Sequence, residues 1–296
     1  MTDLLFGDVN QDVAADAVVL NYSGVYVRRG SKVNQEFDPI QRWTEDPYYG
    51  GQNLLADADG DGSADAIVVN WDGVWVRRSS GSEFAPETRW TEPTNDPTVD
   101  APDGFFAANV DGEPGVDLVA FERRSILVRK TRGNSFDSIK AWATGLNENA
   151  ELRLADVTGD GLADAILIES SGLQVLPSTG DKFAEGTTWS TLKRPGAPGW
   201  FFADVDGDGK ADAVALDASG SRVFVSDGLR FATKAGAFER VIPLGQRGNQ
   251  FADVNGDGHL DAIVEDDWKI TVYPAILDDF GTPQTWSSDA LQGGGP

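Results

Sequence analysis

The 296-residue chain has no cysteine, one methionine and one histidine. The absence of cysteine excludes disulfides, thiolate metal sites and cysteine nucleophiles. It does not fix the compartment, because secreted proteins can also lack cysteine. Basic residues are scarce: 24 Lys and Arg stand against 48 Asp and Glu, a formal net charge of −24. Phosphate backbones are held by Lys and Arg, so this balance excludes nucleic acid as a partner and disfavours anionic membranes. No run approaches the roughly 18 apolar residues of a spanning helix, and membrane insertion is not expected. The opening residues, MTDLLFGDVN, lack the basic and apolar regions of a secretory leader. Helical periodicity is missing too, since no window offers ten or more amphipathic residues with caps.

What the chain does contain is apolar mass, glycine and acid. Hydrophobic residues make up 40%, with nine Trp and fifteen Phe, which is too apolar for a disordered chain despite its charge. The 34 Gly point to many turns. The acidic residues recur in one pattern. FADVNGDGHLD at 251–261 has a near copy, LADADGDGSAD, at 55–65, and related stretches begin at Asp8, Asn109, Asp156 and Asp204. The six copies are spaced by 49, 52, 47, 48 and 49 residues, with repeats starting near 5, 54, 106, 153, 201 and 250. So regular a period over the whole length implies one repeat architecture rather than unrelated domains.

Each repeat has the same order. In the second, NLLAD enters the acidic loop, AIVVN follows, then the turn WDG, then VWVRR, and finally FAPETRW. These short segments, rich in Val, Ile, Phe and Trp and bounded by Gly, Asp and Ser, read as strands. Runs such as AIVV, AILI and AVAL suit strands covered on both faces. Four strands in about 49 residues make one propeller blade. The expectation is therefore an all-β fold, a six-bladed β-propeller of four-stranded antiparallel blades over residues 1–290, with a seventh, degenerate blade left open. A solenoid would need atypical capping repeats, which the first copy does not resemble. LQGGGP, 291–296, reads as a flexible tail. Phe precedes Trp by six residues at Phe37/Trp43, Phe84/Trp90, Phe136/Trp142, Phe183/Trp189 and Phe280/Trp286. Only the fifth repeat breaks this, with Ala237 after Phe231, and the pairs read as packing between blades.

In the loops, oxygen side chains fall at places 1, 3, 5 and 9. The second loop has Asp57, Asp59, Asp61 and Asp65, the fifth Asp204, Asp206, Asp208 and Asp212, and the sixth Asp253, Asn255, Asp257 and Asp261. The fourth has Asp156, Thr158, Asp160 and Asp164. The first, with Asp8, Asn10, Asp12 and Asp16, has Gln11 and Val13 in place of glycines. The third departs furthest: Asn109, Asp111, Glu113 and Asp117, with Pro114 where glycine is expected. Asp and Gly favour turns without any metal, but six loops in register carry 20 carboxylates, which would repel one another unless a cation bound. Alternating oxygens in a tight loop, without nitrogen or sulfur, select a hard cation, so four to six Ca2+ are expected.

These loops, followed by DAIV and GVWV, resemble FG-GAP or VCBS repeats, the blade units of the integrin alpha-subunit propeller. The trailing F…W is most similar to the PVL-type propeller lectins of mushrooms. The resemblance implies calcium held between the first two strands by the residues named, and glycan recognition, with an integrin-like protein-binding platform or an accessory domain of a larger secreted protein as the alternatives. Integrin and PVL-type propellers have seven blades, from which six motifs are a departure. Calcium loops of this kind imply action outside the cytosol or at the cell surface.

Catalysis is not expected. His259 sits at loop place 7, where it is expected to face solvent, and no nucleophile elbow or phosphate loop is present. Aromatics outside the F…W pairs are the candidates for stacking on sugar: Tyr22 and Trp71 at hairpin turns, and Tyr48, Tyr49 and Trp200 between blades. A second asymmetry is basic. Arg28, Arg29, Arg77, Arg78, Arg123, Arg124, Arg129 and Lys130 fall in the first three repeats, either as a patch for an acidic partner or as solvated strand edges.

Overall fold

A computed structural model describes residues 3–46, 48, 50–70, 72–91, 104–193, 195–196, 199–233, 240–276 and 279–288. The expected tail, 291–296, lies outside them. Among the described residues there is no helix, and the strands form six four-stranded antiparallel meanders. The first blade runs Asp3–Gly7, Asp16–Asn21, Gly24–Arg28 and Gln41–Arg42. The second runs Gln52–Ala56, Asp65–Asn70, Gly73–Arg77 and Thr88–Arg89, and the third Phe105–Ala108, Asp117–Glu122, Ser125–Arg129 and Lys140–Thr144. The fourth comprises Glu151–Ala155, Asp164–Glu169, Gly172–Leu176 and Thr187–Ser190, and the fifth Gly199–Ala203, Asp212–Asp217, Gly220–Ser226 and Phe231–Ala232. The sixth, Gly248–Ala252, Asp261–Asp266, Lys269–Tyr273 and Gln284–Ser287, completes the ring.

The blades stack because their second strands are apolar on both faces. Val18, Ile67, Val119, Ile166, Val214 and Ile263 are all fully buried, and the core divides into clusters that bridge neighbouring blades. The F…W residues cross these seams as expected. The Trp of one blade meets the Phe of the next at ring-centroid distances of 5.2–5.6 Å: Trp43 with Phe84, Trp90 with Phe136, Trp142 with Phe183, Trp189 with Phe231, and Trp286 with Phe37. Such tilted pairs add about 1 kcal/mol each beyond area burial. At the seam where the sequence breaks the pattern, Phe280 of the sixth blade packs with Phe251 and the fully buried Ile242 instead. Ala237 lies outside the described residues.

One backbone hydrogen bond is made at every seam. The amide at loop place 8 donates to the carbonyl at loop place 1 of the preceding blade: Ala64 to Asp8, Val116 to Asp57, Ala163 to Asn109, Ala211 to Asp156 and Leu260 to Asp204. Ala15 donates to Asp253 at 2.7 Å, which joins the sixth blade to the first. The seam between the last and first blades is thus built like the others, and six blades close the ring with no seventh.

Candidate functional site

All six acidic loops lie at one end of the ring, between the first and second strands of their blades. The place-1 aspartate organises the turn. Asp57 accepts hydrogen bonds from the amides of Gly60, Asp61 and Gly62 at 2.7–3.1 Å, and Asp156 from those of Gly159, Asp160 and Gly161; Asp204 accepts from Gly207 and Gly209, and Asp253 from Asp257 and Gly258. Glycine is needed at places 4 and 6 because the chain is left-handed there, with φ of 79° at Gly60 and 95° at Gly62. The first loop adopts the same path without glycine: Gln11 and Val13 sit at φ of 62° and 77°. A β-branched Val in that conformation is strained.

At place 9 the aspartate is a latch. Asp16, Asp65, Asp117, Asp164, Asp212 and Asp261 are all 0% exposed. In each, Oδ2 accepts from the place-2 amide at 3.0–3.3 Å, and Oδ1 from an amide just beyond the third strand at 2.8–2.9 Å. Burial pushes these carboxyls up, to about 7 for Asp16, Asp65, Asp212 and Asp261 and about 6 for Asp117 and Asp164. The backbone hydrogen bonds only partly oppose that rise. The place-9 residue therefore has a backbone role that its spacing alone did not reveal, and in three loops one of its oxygens accepts a second hydrogen bond, from Asn10 to Asp16, from the Thr158 amide to Asp164 and from Asn255 to Asp261.

Two loops bring three carboxylates together with ligand atoms within 4.8 Å of one another: Asp57, Asp59 and Asp61, and Asp204, Asp206 and Asp208. Such a set could hold a metal ion. The fourth and sixth loops keep the same backbone with Thr158 and Asn255 at place 3. The third loop does not fit a cation. Its place-3 carboxylate, Asp111, has a fully covered side chain and is paired with Lys130 at 2.8 Å. Lys130 also donates to the Gly180 carbonyl and lies 5.5 Å from the centre of the Trp142 ring. The Asn109 amide turns inward onto the Glu113 carbonyl at 2.9 Å. Ammonium and amide donors thus point where a metal would need acceptors.

Lys130 also changes the reading of the basic asymmetry. Arg28, Arg77 and Arg129 are buried, so they form neither a surface patch nor a solvated edge. Arg77 stacks 4.7 Å over the Tyr48 ring and donates to the Ala85 carbonyl, and Arg129 donates to the Asp137 carbonyl. Arg123 and Arg124 lie at the hairpin turn on the opposite end of the ring from Lys130.

Two aromatic candidates are corrected by burial. Tyr48 is 2% exposed, with its hydroxyl donating to the Ala66 and Trp75 carbonyls, and Trp200 is 3% exposed in the seam core against Phe202 and Phe224. Neither can stack on a sugar. Tyr22 is 65% exposed at its turn, and Tyr49 and Trp71 lie outside the described residues. His259 does not face solvent freely; it packs over Gly207 of the neighbouring loop. Trp268, 71% exposed on the hairpin turn of the sixth blade, was missed because it follows no repeated motif.

Among the described residues, two clefts are large enough for a small ligand. One, of about 390 Å³, opens between the fourth and fifth blades and is lined by Thr188, Trp189, Ser190, Thr191, Leu192, Phe224, Phe231, Ala232 and Thr233. The other, of about 580 Å³, lies where the sixth blade meets the first and is lined by Asp3, Leu4, Leu5, Arg247, Gly248, Asn249, Gln250 and Glu265.

Residues 156–215 and 204–264 match the FG-GAP-like repeat. Over those residues the chain carries FG-GAP-like repeats. No curated protein sequence matches it. Among solved structures, the ring is similar to an Agrocybe aegerita lectin described as recognising non-reducing terminal N-acetylglucosamine. The likeness has a TM-score of 0.69 at 24% identity and covers 99% of this chain and 82% of the lectin. It also resembles part of the Photorhabdus luminescens Tc holotoxin pore, with a TM-score of 0.64 at 18% identity over 97% of this chain and 14% of the toxin chain. A TcdB2–TccC3 crystal structure matches with a TM-score of 0.53 at 18% identity, over 97% of this chain and 15% of the other. At these identities the likeness establishes the propeller fold. No helix among the described residues is long and apolar enough to cross a membrane.

Proposed function

We propose that the chain is a calcium-stapled propeller that binds carbohydrate and catalyses nothing. The observation that carries the reading is the likeness, over 99% of this chain and 82% of the other, to a lectin described as recognising non-reducing terminal N-acetylglucosamine. Clefts at two seams, each with polar groups in its wall, and exposed aromatics at hairpin turns offer the stacking faces and hydroxyl partners that sugars require. Calcium is the cation best matched to the carboxylate clusters of the second and fifth loops, since every ligand there is a hard oxygen. Its role is structural: it neutralises three carboxylates at the entry to a blade's first hairpin and so holds the seams in place. Loops of that kind suit a compartment rich in calcium, outside the cytosol or at the cell surface.

A glycan array probed with purified protein in millimolar calcium, and again after chelation, tests this. Saturable binding to a related set of glycans is expected, weakened when chelator loosens the ring. Absence of binding by protein shown to be folded would overturn the lectin reading and leave the integrin-like protein platform in its place.

A further inference from the structure

The strand registers single out one residue that the fold does not explain. The fifth place of the second strand holds Leu20, Val69, Phe121, Ile168 and Leu216 in blades one to five. In the sixth it holds Glu265, which faces Gly248. An apolar side chain packs there in the other five blades, whereas a carboxylate that is 8% exposed loses its hydration. Burial accordingly raises the Glu265 carboxyl above its usual range. Its place is the wall of the larger cleft, where Gln250 donates to both the Glu265 carboxylate and the Leu4 carbonyl and fixes their orientation across the blade seam.

We propose that the cleft between the sixth and first blades is a binding site for a neutral, hydroxyl-rich saccharide. Glu265 and Gln250 line it, and Tyr22 and Trp268, exposed on hairpin turns at the same end of the ring, would supply aromatic flanks. This rests on the carbohydrate reading and assigns it a place. The cleft lies at the end of the ring opposite the acidic loops, because its lining comes from the starts of two first strands and the end of a second strand. Tyr22 and Trp268 sit on the second-to-third-strand turns of the same two blades, at that same end, and both are exposed. A carboxylate and an amide bond hydroxyls directionally while an aromatic face covers the apolar side of a sugar ring. Charge sets the class of sugar. Asp3 and Glu265 are acidic, and the one cationic lining residue, Arg247, is paired with Asp267 at 3.2 Å. Sialylated and uronic glycans are therefore disfavoured.

The test is a printed array of neutral and sialylated glycans, probed in calcium with the full chain and with Glu265→Gln, Trp268→Ala and, as a control at the opposite end of the ring, Leu229→Ser. The expected result is wild-type binding to neutral glycans, retained by the control. Glu265→Gln and Trp268→Ala should each weaken it at least about ten-fold with the melting temperature unchanged. Trp268 is exposed, so its truncation does not threaten the fold. Neutral-glycan binding equal to wild type in both variants would overturn the site while leaving the lectin reading intact. Preference for sialylated glycans would overturn the ligand class. No binding by the folded wild type would remove the carbohydrate reading and this site with it.

Discussion

Asp65 has both carboxylate oxygens engaged by backbone amides in a site without solvent, so its value lies in accepting two bonds at once. Asp65→Asn turns one acceptor into a donor facing an amide. It should cost about 2–3 kcal/mol, readable as a lowered urea midpoint in chelator. The same burial makes metal-free stability depend on pH. The six latch carboxyls titrate near 3.8 when unfolded but near 6 to 7 when folded, so the native state holds more protons across that interval. Stability must then fall as pH rises from about 4 to about 7. Melting temperature in chelator should be higher at pH 5.5 than at pH 7.5, and the difference should shrink in saturating calcium, which competes with protons. An unchanged melting temperature between the two pH values would argue that the latches stay ionised throughout. At Val13 the expectation is reversed: Val13→Gly removes a left-handed β-branched residue and should stabilise by about 1 kcal/mol in a thermal melt.

Among elements, the loops and the seams were legible to different depths. The periodicity of Asp and Gly gave the loop positions and the blade count, and the F…W spacing gave the seams, because both are local patterns repeated often enough to be told from chance. Less visible was anything decided by a partner distant in sequence. Tyr48 and Trp200 look alike in sequence to a surface aromatic, yet the neighbouring blade covers both. The first arginine of each VRR run, Arg28 and Arg77, is buried while the second, Arg29 and Arg78, is exposed, an alternation that strand geometry permits but whose sense the sequence cannot announce. Lys130 reads as part of a basic run, while in the fold its ammonium neutralises Asp111 of its own blade. Lys130→Gln should therefore lower the melting temperature in chelator by about 5 °C. Asp111→Asn should leave calcium stoichiometry unchanged where Asp59→Asn reduces it. Loss of a calcium equivalent in Asp111→Asn would show that the third loop binds metal after all. At the seams, a double-mutant cycle on Trp90 and Phe136 should return a coupling of about 1 kcal/mol.

For the molecule as a whole, ring closure and charge set the terms. Five aromatic contacts and six seam hydrogen bonds tie each blade to its neighbours, so no blade is an end and no polar cap is needed. Against this stands a net charge of −24, much of it in one crown of loops. Self-repulsion of that size favours expansion, and cations bound in the crown oppose it where it is strongest. The most direct test is a calorimetric titration of calcium into chelator-stripped protein at pH 7.5, paired with thermal melts at both ends of the titration. Saturable uptake of several ions is predicted, with a higher melting temperature when loaded and one site lost in each of Asp59→Asn and Asp206→Asn. No uptake, or uptake without stabilisation, would contradict the account that calcium staples this ring.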